Sequence, residues 1–285
     1  MIKNIGNAEK AEILMQALPY IKKYHKQTVV IKYGGNAMTD DNIKKMVMGD
    51  LVLLRQIGVN VVLVHGGGPE INDALKKMNI ETEFIGGLRK TGEDAISVVQ
   101  MVLAGKVNKD LVNLIELCGG QAVGLCGIDG RMIEADFENK ELGFVGKITN
   151  VNPKPVLDML EAGFIPVVAS VGCDKKGNVY NINADTVAAR LAAELKAMSL
   201  INLSDVPGLL KDKNDPTTLI KEVNVSETLK LMNEGIISGG MIPKVKCCVE
   251  AIRRGVKQVF IIDGTVEHAI LVEMMNDEGV GTMFH

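Results

Sequence analysis

Residues 61–69, VVLVHGGGP, run from four apolar positions into a histidine, three consecutive glycines and a proline. A short apolar run of this kind is typical of a buried strand, and the proline suits the first turn of a following helix. The earlier run TVVIK, residues 28–32, leads into a glycine pair in the same way. Between the two runs, apolar residues spaced by three or four positions predict a helix capped by Thr39. This order of elements indicates a βαβ unit, and hence a parallel sheet covered on both faces.

The same alternation continues along the rest of the chain. Further elements are predicted as a hairpin or loop at 83–91, one or two helices at 93–117, mixed β structure at 143–151, strands at 122–125, 165–171, 200–203 and 259–262, and helices at 153–162, 184–195 and 242–254. Together they predict an α/β fold, a three-layer αβα sandwich around an open, mainly parallel sheet. Two lobes, residues 28–187 and 188–285, would share this sheet, behind a helical extension at residues 1–27.

The composition is that of a globular protein, since 47% of the 285 residues are hydrophobic and 24% are charged. With 32 Lys and Arg against 35 Asp and Glu, the net charge of −3 offers no basic surface for nucleic acid. No apolar run approaches the roughly 18 residues of a membrane span, and the first residues lack a signal-peptide pattern. We therefore expect a soluble, cytoplasmic protein that binds neither nucleic acid nor membrane, with its five cysteines reduced.

Two glycine clusters, one at Gly34 and Gly35 and one at residues 66–68, follow predicted strands. Ligands of open parallel sheets bind beyond the carboxyl ends of the strands, where helix N-termini and loop amides converge. Either cluster alone is explained by a tight turn. Together, with one beside a lysine and one before a helix, they favour an anion site.

Standard nucleotide and hydrolase motifs do not account for these clusters. Residues 65–71 lack the third glycine of the dinucleotide fingerprint, and residues 146–149 have Ile148 where a P-loop needs Ser or Thr. No H-E-x-x-H, G-x-S-x-G or H-R-D set occurs in the sequence. These absences argue against zincins, α/β-hydrolases and protein kinases.

Three charged residues occupy suggestive positions: Lys32 at a strand end, Lys244 at a helix start and Asp185 before an alanine-rich helix. Taken singly, they fit a solvated strand end, a first-turn residue and a helix cap. Lys244 would oppose the helix dipole, however, unless an anion shared its site. The residues alone leave both interpretations open.

Six segments in this order resemble the amino acid kinase family, and within it the branch that phosphorylates N-acetyl-L-glutamate. They are IKYGGNAM (31–38), LVHGGGP (63–69), GLRKT (87–91), YNINAD (180–185), LSDVPGL (203–209) and GGMIPK (239–244). Because they span nearly the whole chain from residue 28, the resemblance is more specific than any one segment. It implies the family's αβα fold, with residues 28–187 binding the amino acid and residues 188–285 binding ATP.

The reaction that this resemblance implies is transfer of the γ-phosphoryl group of ATP to the γ-carboxylate of N-acetyl-L-glutamate. A glutamate side chain ordinarily has a pKa of about 4.3 and is ionised at neutral pH, so positioning and charge stabilisation are needed rather than a general base. By the resemblance, Lys32 and Lys244 would flank the phosphoryl group, and Asp185 would hold both lysines. The other implied contacts are Gly34, Gly35 and Gly66 for phosphate; Gly67, Gly68, Arg89 and Asn181 for the amino acid; and Ser204, Asp205 and Lys211 for ATP, with Mg²⁺ held by phosphates and water and by no protein ligand.

An apolar stripe at the start of the chain is interrupted by Pro19, which predicts a kinked or divided helix. Together with residues 277–284, this extension resembles the arginine-inhibited branch of the family. There, N-terminal helices join dimers into a hexamer, a trimer of dimers, and arginine binds near the junction. The resemblance implies an L-arginine effector at His268, Glu278 and Gly279, although packing of the stripe on the chain's own core stays equally open.

Three other activities fit the sequence to different degrees. N-acetyl-L-aminoadipate would suit the same residues, because one methylene changes selectivity by only about 1 to 3 kcal/mol. A non-catalytic amino-acid sensor predicts loss of Lys32, Lys244 or Asp185, and all three are present. A nicotinamide oxidoreductase needs the glycine fingerprint, which is broken.

Overall fold

The computed structural model describes residues 6–285, apart from the side chains of Asn36 and Ala37. The first five residues of the predicted extension lie outside this range. The helices are α1 Asn7–Tyr24, α2 Asp41–Gln56, α3 Gly68–Lys77, α4 Glu93–Gln100, α5 Asn108–Leu117, α6 Lys154–Glu161, α7 Ala184–Glu194, α8 Thr228–Asn233, α9 Met241–Arg253 and α10 Ala269–Met274. A π-helical segment, Met101–Val107, joins α4 to α5.

The strands are short and separated mostly by helices. They are β1 Thr28–Tyr33, β2 Asn60–His65, β3 Phe84–Ile85, β4 Leu88–Arg89, β5 Ala122–Cys126, β6 Ile133–Phe137, β7 Gly146–Val151, β8 Ile165–Ala169, β9 Val171–Cys173, β10 Val179–Asn181, β11 Ser199–Ser204, β12 Leu209–Leu210, β13 Leu219–Ile220, β14 Glu222–Val223, β15 Gln258–Asp263 and β16 Thr282–Phe284. No helix within residues 6–285 is long and apolar enough to cross a membrane. All five cysteines are free thiols.

The main sheet has eight strands in the order β14-β16-β15-β11-β1-β2-β8-β5. Neighbouring strands are parallel except β15 and β16. The centre of the sheet is β1, which pairs with β2 on one side and β11 on the other. Four adjacent strands come from residues 28–187 and the other four from residues 188–285.

Both faces of this sheet are buried, as the apolar runs predict. Along β1, Val29 and Ile31 point into one core and Val30 into the other, because successive side chains of a strand face opposite sides. Helices α2, α3, α4, α5 and α10 cover the first face, while α6, α7 and α9 cover the second. The predicted three-layer αβα architecture with a mainly parallel sheet is confirmed.

A second, smaller sheet in the order β10-β9-β6-β7 lies beside the main one. The mixed β structure predicted at 143–151 contains β7, and the hairpin predicted at 83–91 contains β3 and β4. The single strand predicted at 165–171 is wrong, since the chain leaves the main sheet at Ser170 and enters the small sheet as β9. The segment is apolar on both sides of Ser170, so its sequence carries no sign of this change of sheet.

Two helix predictions need correction. The cap of α2 is Asp40 rather than Thr39: its Oδ1 accepts the amides of Asn42 at 2.8 Å and Ile43 at 3.1 Å. A carboxylate caps well because the first amides of a helix have no helical acceptor. The second correction concerns α1, which continues through Pro19 and is not divided there.

Candidate active site

Three charged residues from distant segments meet at the carboxyl edge of the main sheet. Lys32 lies near the end of β1, Asp185 in the first turn of α7, and Lys244 in the first turn of α9. The two oxygens of the Asp185 carboxylate lie 2.9 Å from Lys32 Nζ and 3.7 Å from Lys244 Nζ. We call these three residues the ionic cluster.

The ionic cluster carries an excess of positive charge. Burial by itself would raise the pKa of Asp185, but the charges of Lys32 and Lys244 outweigh it and hold that pKa below its usual value. The Lys32 side chain is only 9% exposed, whereas that of Lys244 is 28% exposed. Two ammonium groups share one carboxylate here, so the cluster can attract an anion.

The first glycine pair borders this cluster. A Cβ at Gly34 would come within 3.0 Å of Lys32 Nζ, so a side chain there would crowd the ammonium group. Gly35 has φ +72°, a conformation that L residues rarely adopt. Both glycines therefore let the backbone turn closely around Lys32.

The second glycine cluster starts α3. The Gly66 amide donates to Tyr33 O at 3.1 Å, so its predicted role as a phosphate donor is not supported by this geometry. Gly67 and Gly68 have the first amides of α3, and such amides lack a helical acceptor. A Cβ at Gly67 would lie 2.8 Å from Leu103 Cδ2, which explains why this position has no side chain.

A cavity of about 320 Å³ opens beside the second glycine cluster. It brings together all four residues predicted to bind the amino acid: Gly67, Gly68, Arg89 and Asn181. Sequence reasoning missed other residues of its wall, which carry no recognisable motif: Asn72, Phe84, Leu103, Val145 and Ser170. Ala184, the neighbour of Asp185, also lines the cavity and so connects it to the ionic cluster.

Arg89 is the buried cation of this cavity. Its side chain donates through Nη2 to Asn72 Oδ1 at 2.6 Å and lies over the Phe84 ring, 4.6 Å from its centroid. Residue Arg89 is 7% exposed, burial lowers its pKa, and its Nη1 has no hydrogen-bond partner. Among residues 6–285, no carboxylate lies within ion-pair distance of it. A guanidinium left in this state is suited to a carboxylate ligand.

Asn181 and its neighbours form another wall of the same cavity. Asn181 donates through Nδ2 to Thr91 Oγ1 at 3.2 Å, which fixes the orientation of its amide. Asn183 caps α7 by accepting the amides of Asp185 at 2.9 Å and Thr186 at 3.2 Å. This cap places the first turn of α7, and with it the Asp185 carboxylate, at the edge of the cavity.

A second cavity, of about 630 Å³, lies on the other side of the ionic cluster. Gly35 and Lys244 line it, together with Asp205 and an apolar wall of Val206, Leu209, Leu210, Ile236 and Met241. Ser204 is buried and donates to Asp205 Oδ1 at 3.3 Å. Lys211 is exposed and does not line this cavity, whereas Lys213 lines it and donates to Ser238 Oγ at 2.6 Å. Of the three predicted ATP residues, Asp205 lines this cavity, and Ser204 is its buried neighbour outside the lining.

The predicted effector residues lie elsewhere and are only partly together. Glu278 and Gly279 line a cavity of about 210 Å³ between α1 and the last loop, with Tyr20, Lys23 and Lys221 among its other residues. Lys221 Nζ donates to the Gly279 carbonyl at 3.0 Å. His268 is outside this cavity, and its Nδ1 lies 2.6 Å from the buried Asp50 Oδ1.

The chain is similar to known proteins along nearly its whole length. The model of the amino acid kinase family matches residues 27–263. The chain is similar to proteins named acetylglutamate kinase from Brachyspira hyodysenteriae, 54% identical over 100% of this chain and 99% of the relative, and from Clostridioides difficile, 53% identical over 97% of each.

Solved structures are similar at lower identity and bear on the fold. N-acetylglutamate synthase from Neisseria gonorrhoeae, complexed with coenzyme A and N-acetyl-glutamate, is 22% identical with a TM-score of 0.83. The match covers 96% of this chain and 63% of that one. Carbamate kinase from Giardia lamblia bound to AMP-PNP is 18% identical with a TM-score of 0.67, over 91% and 98% of the two chains.

Proposed function

This chain belongs to the amino acid kinase family, and from that premise we propose that it transfers the γ-phosphoryl group of ATP to the γ-carboxylate of N-acetyl-L-glutamate. Relatives of 50–54% identity over nearly the full length, all named acetylglutamate kinase, support this substrate. The observation that carries the proposal is the ionic cluster between two cavities, one with an unpaired buried arginine and one with an apolar wall.

The amino acid occupies the smaller cavity. Its α-carboxylate pairs with Arg89, whose free Nη1 and occupied Nη2 present a guanidinium edge toward the cavity. Asn181 and the amides of Gly67 and Gly68 hold the acetylated part and the reacting end. The γ-carboxylate is already ionised at neutral pH and attacks without a general base.

ATP occupies the larger cavity, with its base against the apolar wall and its phosphates toward Gly35 and Lys244. Lys32 and Lys244 then flank the phosphoryl group and offset the repulsion between two anions. Asp185 keeps both ammonium groups in place.

Mg²⁺ accompanies ATP in this class of reaction. Within the described part of the chain, no three His, Cys, Asp or Glu side chains come close enough to hold a metal ion. Asp185, the carboxylate at the centre, is already paired with two lysines. The phosphates and water would therefore hold the ion.

The test is an acyl-phosphate assay in which hydroxylamine traps the product. N-acetyl-L-glutamate, N-acetyl-L-aminoadipate, glutamate and aspartate are each supplied with ATP and Mg²⁺. We expect hydroxamate from N-acetyl-L-glutamate at the highest kcat/KM. A higher kcat/KM for N-acetyl-L-aminoadipate would identify that compound as the substrate instead. The absence of hydroxamate with all four compounds would refute the proposed kinase activity.

Arg89→Ala is expected to raise KM for N-acetyl-L-glutamate by roughly 10²-fold, because a charge-assisted bidentate contact to the α-carboxylate is lost. The value of kcat at saturation should change much less, since the α-carboxylate does not react. Steady-state kinetics measure both constants. Arg253→Ala, which removes an exposed arginine, is the control. An unchanged KM in Arg89→Ala would show that Arg89 does not bind the substrate.

We further propose that the chain assembles through α1 into a hexamer, a trimer of dimers, and that L-arginine inhibits it. The support is a group of exposed apolar side chains on α1: Ile13, Leu14, Met15 and Leu18. Clusters of exposed apolar side chains mark interaction surfaces. The neighbouring cavity of Glu278 and Gly279 offers carbonyl and carboxylate acceptors to a guanidinium ligand.

Deleting residues 1–25 is expected to reduce the hexamer to dimers and to abolish inhibition by arginine. The deletion also removes Tyr24, which is buried in the core, so Leu14→Asp is the more specific variant. Leu14 is 71% exposed, and a charge there disrupts only an interface. Light scattering gives the mass, and the hydroxamate assay with and without arginine gives the inhibition. A hexamer that survives both changes would refute the role of α1.

A further inference from the structure

His65 is a fully buried histidine at the end of β2, directly before the second glycine cluster. Its Nδ1 lies 2.8 Å from the carbonyl oxygen of Gly66, and its Nε2 lies 3.0 Å from Nδ2 of Asn108. Neither His65 nor Asn108 lines the amino-acid cavity. Both side chains are therefore placed to act through the backbone rather than on a ligand.

The hydrogen bonds of Asn108 settle where the proton of His65 resides. Asn108 Nδ2 also donates to the carbonyl of Val167 at 2.9 Å, while its Oδ1 accepts from Lys109 Nζ at 3.0 Å. The amide nitrogen of Asn108 thus faces the ring, and Nε2 accepts. Nδ1 must carry the proton and donate it to Gly66 O, since a carbonyl only accepts. Burial agrees with a neutral ring, because it lowers the pKa of His65 to about 4.

This donation fixes the peptide between Gly66 and Gly67. In a trans peptide the carbonyl of one residue and the N–H of the next point in opposite directions. With the Gly66 carbonyl held by the buried ring, the Gly67 N–H points away from the core, and Gly67 lines the cavity. The Gly66 N–H is held separately by Tyr33 O at 3.1 Å. The peptide cannot rotate without losing a buried hydrogen bond.

The π-helical segment supports the same arrangement. Its Leu103 and Val107 would lie 2.8 Å and 3.2 Å from a Cβ at Gly67, so they pack directly on this backbone. Asn108 follows at once as the first residue of α5. One stretch of helix therefore presses on the glycine and orients the histidine, as π-helices at functional sites often do.

We propose that His65, oriented by Asn108, is a positioning residue that aims the Gly67 amide at the reacting end of the amino acid, where the phosphoryl group is transferred. The inference rests on the function proposed above. A donor aimed in advance stabilises charge that develops in the transition state, so its misplacement lowers kcat more than it raises KM.

Two substitutions of His65 distinguish a role in positioning the Gly66–Gly67 peptide from a role in filling space. In His65→Asn, the amide nitrogen takes the place of Nδ1 and can donate to Gly66 O. In His65→Gln, the longer amide takes the place of Nε2 and can bond Asn108 but not Gly66 O. We expect kcat of the Gln variant to fall roughly 10²-fold and that of the Asn variant to stay at least about tenfold higher. KM for ATP and for N-acetyl-L-glutamate should change less than about threefold in both.

Binding of a transition-state mimic, ADP with aluminium fluoride and N-acetyl-L-glutamate, gives a second readout by calorimetry. The Gln variant should bind the mimic more weakly, with little change for ATP alone. Thermal unfolding checks that each variant folds, and His65→Leu replaces the Gln variant if that one does not. Equal kcat in the Asn and Gln variants, or wild-type kcat in the variant without the Gly66 bond, would overturn the proposal. A wild-type chain that forms no hydroxamate would instead refute the function.

Discussion

Lys32→Ala is expected to lower kcat by roughly 10² to 10³-fold, with a much smaller change in KM for either substrate. Lys32 Nζ lies 2.9 Å from Asp185, and a Cβ at Gly34 would touch it, so its ammonium group is held firmly in the ionic cluster. In the proposed reaction, negative charge develops on the transferring group beside this cluster. An alanine leaves the cavities themselves intact, so binding persists while the transition state loses a donor.

Lys77→Ala is the matched control for this variant. Lys77 forms an ion pair with Asp73 at 2.7 Å, but 74% of its side chain is exposed, and it lies at the far end of α3. Its removal should leave kcat unchanged, because exposed pairs contribute little. Single-turnover measurements separate the chemical step from product release. Normal chemistry in Lys32→Ala would mean that the ionic cluster lies beside the reaction and not in it.

Asp185→Asn should have an effect of similar size for a different reason. The substitution keeps the shape of the side chain but removes the carboxylate charge that lies between Lys32 and Lys244. Their ammonium groups then repel each other, and Lys32 is left buried without a counter-charge, which is costly. We expect kcat to fall by roughly 10²-fold or more. Asp73→Asn, on the exposed pair, is the control, and near-normal turnover in Asp185→Asn would contradict the holding role.

The free energy of unfolding of Asp185→Asn should also depend on pH differently from that of the wild type. The pKa of Asp185 is lowered in the folded protein from a usual 3.8, so the folded state favours the ionised form. This contribution to the free energy of unfolding is complete above about pH 4 and is lost as the pH falls through the lowered value. The difference between wild type and Asp185→Asn should therefore shrink below about pH 4 in urea titrations. If the difference in the free energy of unfolding grew on acidification, the pKa of Asp185 would be raised in the folded protein and not lowered.

The sequence predicted the central layers of the fold well because their signals are local. Apolar runs such as residues 28–32 are buried on both faces, and helices α2, α7 and α9 have clear apolar periodicity. The small sheet was harder to predict, since its two local pairs, β6 with β7 and β9 with β10, are brought together by the pairing of Glu134 with Cys173, which are far apart in sequence. The sequence around Ser170 is an example, because the neighbouring residues give no sign that the chain passes from one sheet to the other there.

The site was predictable where a residue type is unusual for its position. Lys244 at a helix start opposes the helix dipole, and Lys32 lies beside two glycines; the structure brings both lysines to one carboxylate. Residues whose role depends only on their position in the folded structure could not be recognised in the sequence. Lys213 rather than Lys211 lines the larger cavity, and the sequence does not distinguish these two nearby lysines. The sequence marks His65 only by its position before the glycines.

The pairing of β1 with β11 has a consequence for how the protein is made. Val29 is opposite Ser199, so one side of the central strand finds its partner only after most of the chain has left the ribosome. Until then one edge of β1, a strand that includes apolar Val29, Val30 and Ile31, is open to other nascent chains. The two halves of the main sheet are therefore joined late in synthesis, and a translation pause before residue 199 would be expected to favour aggregation over folding.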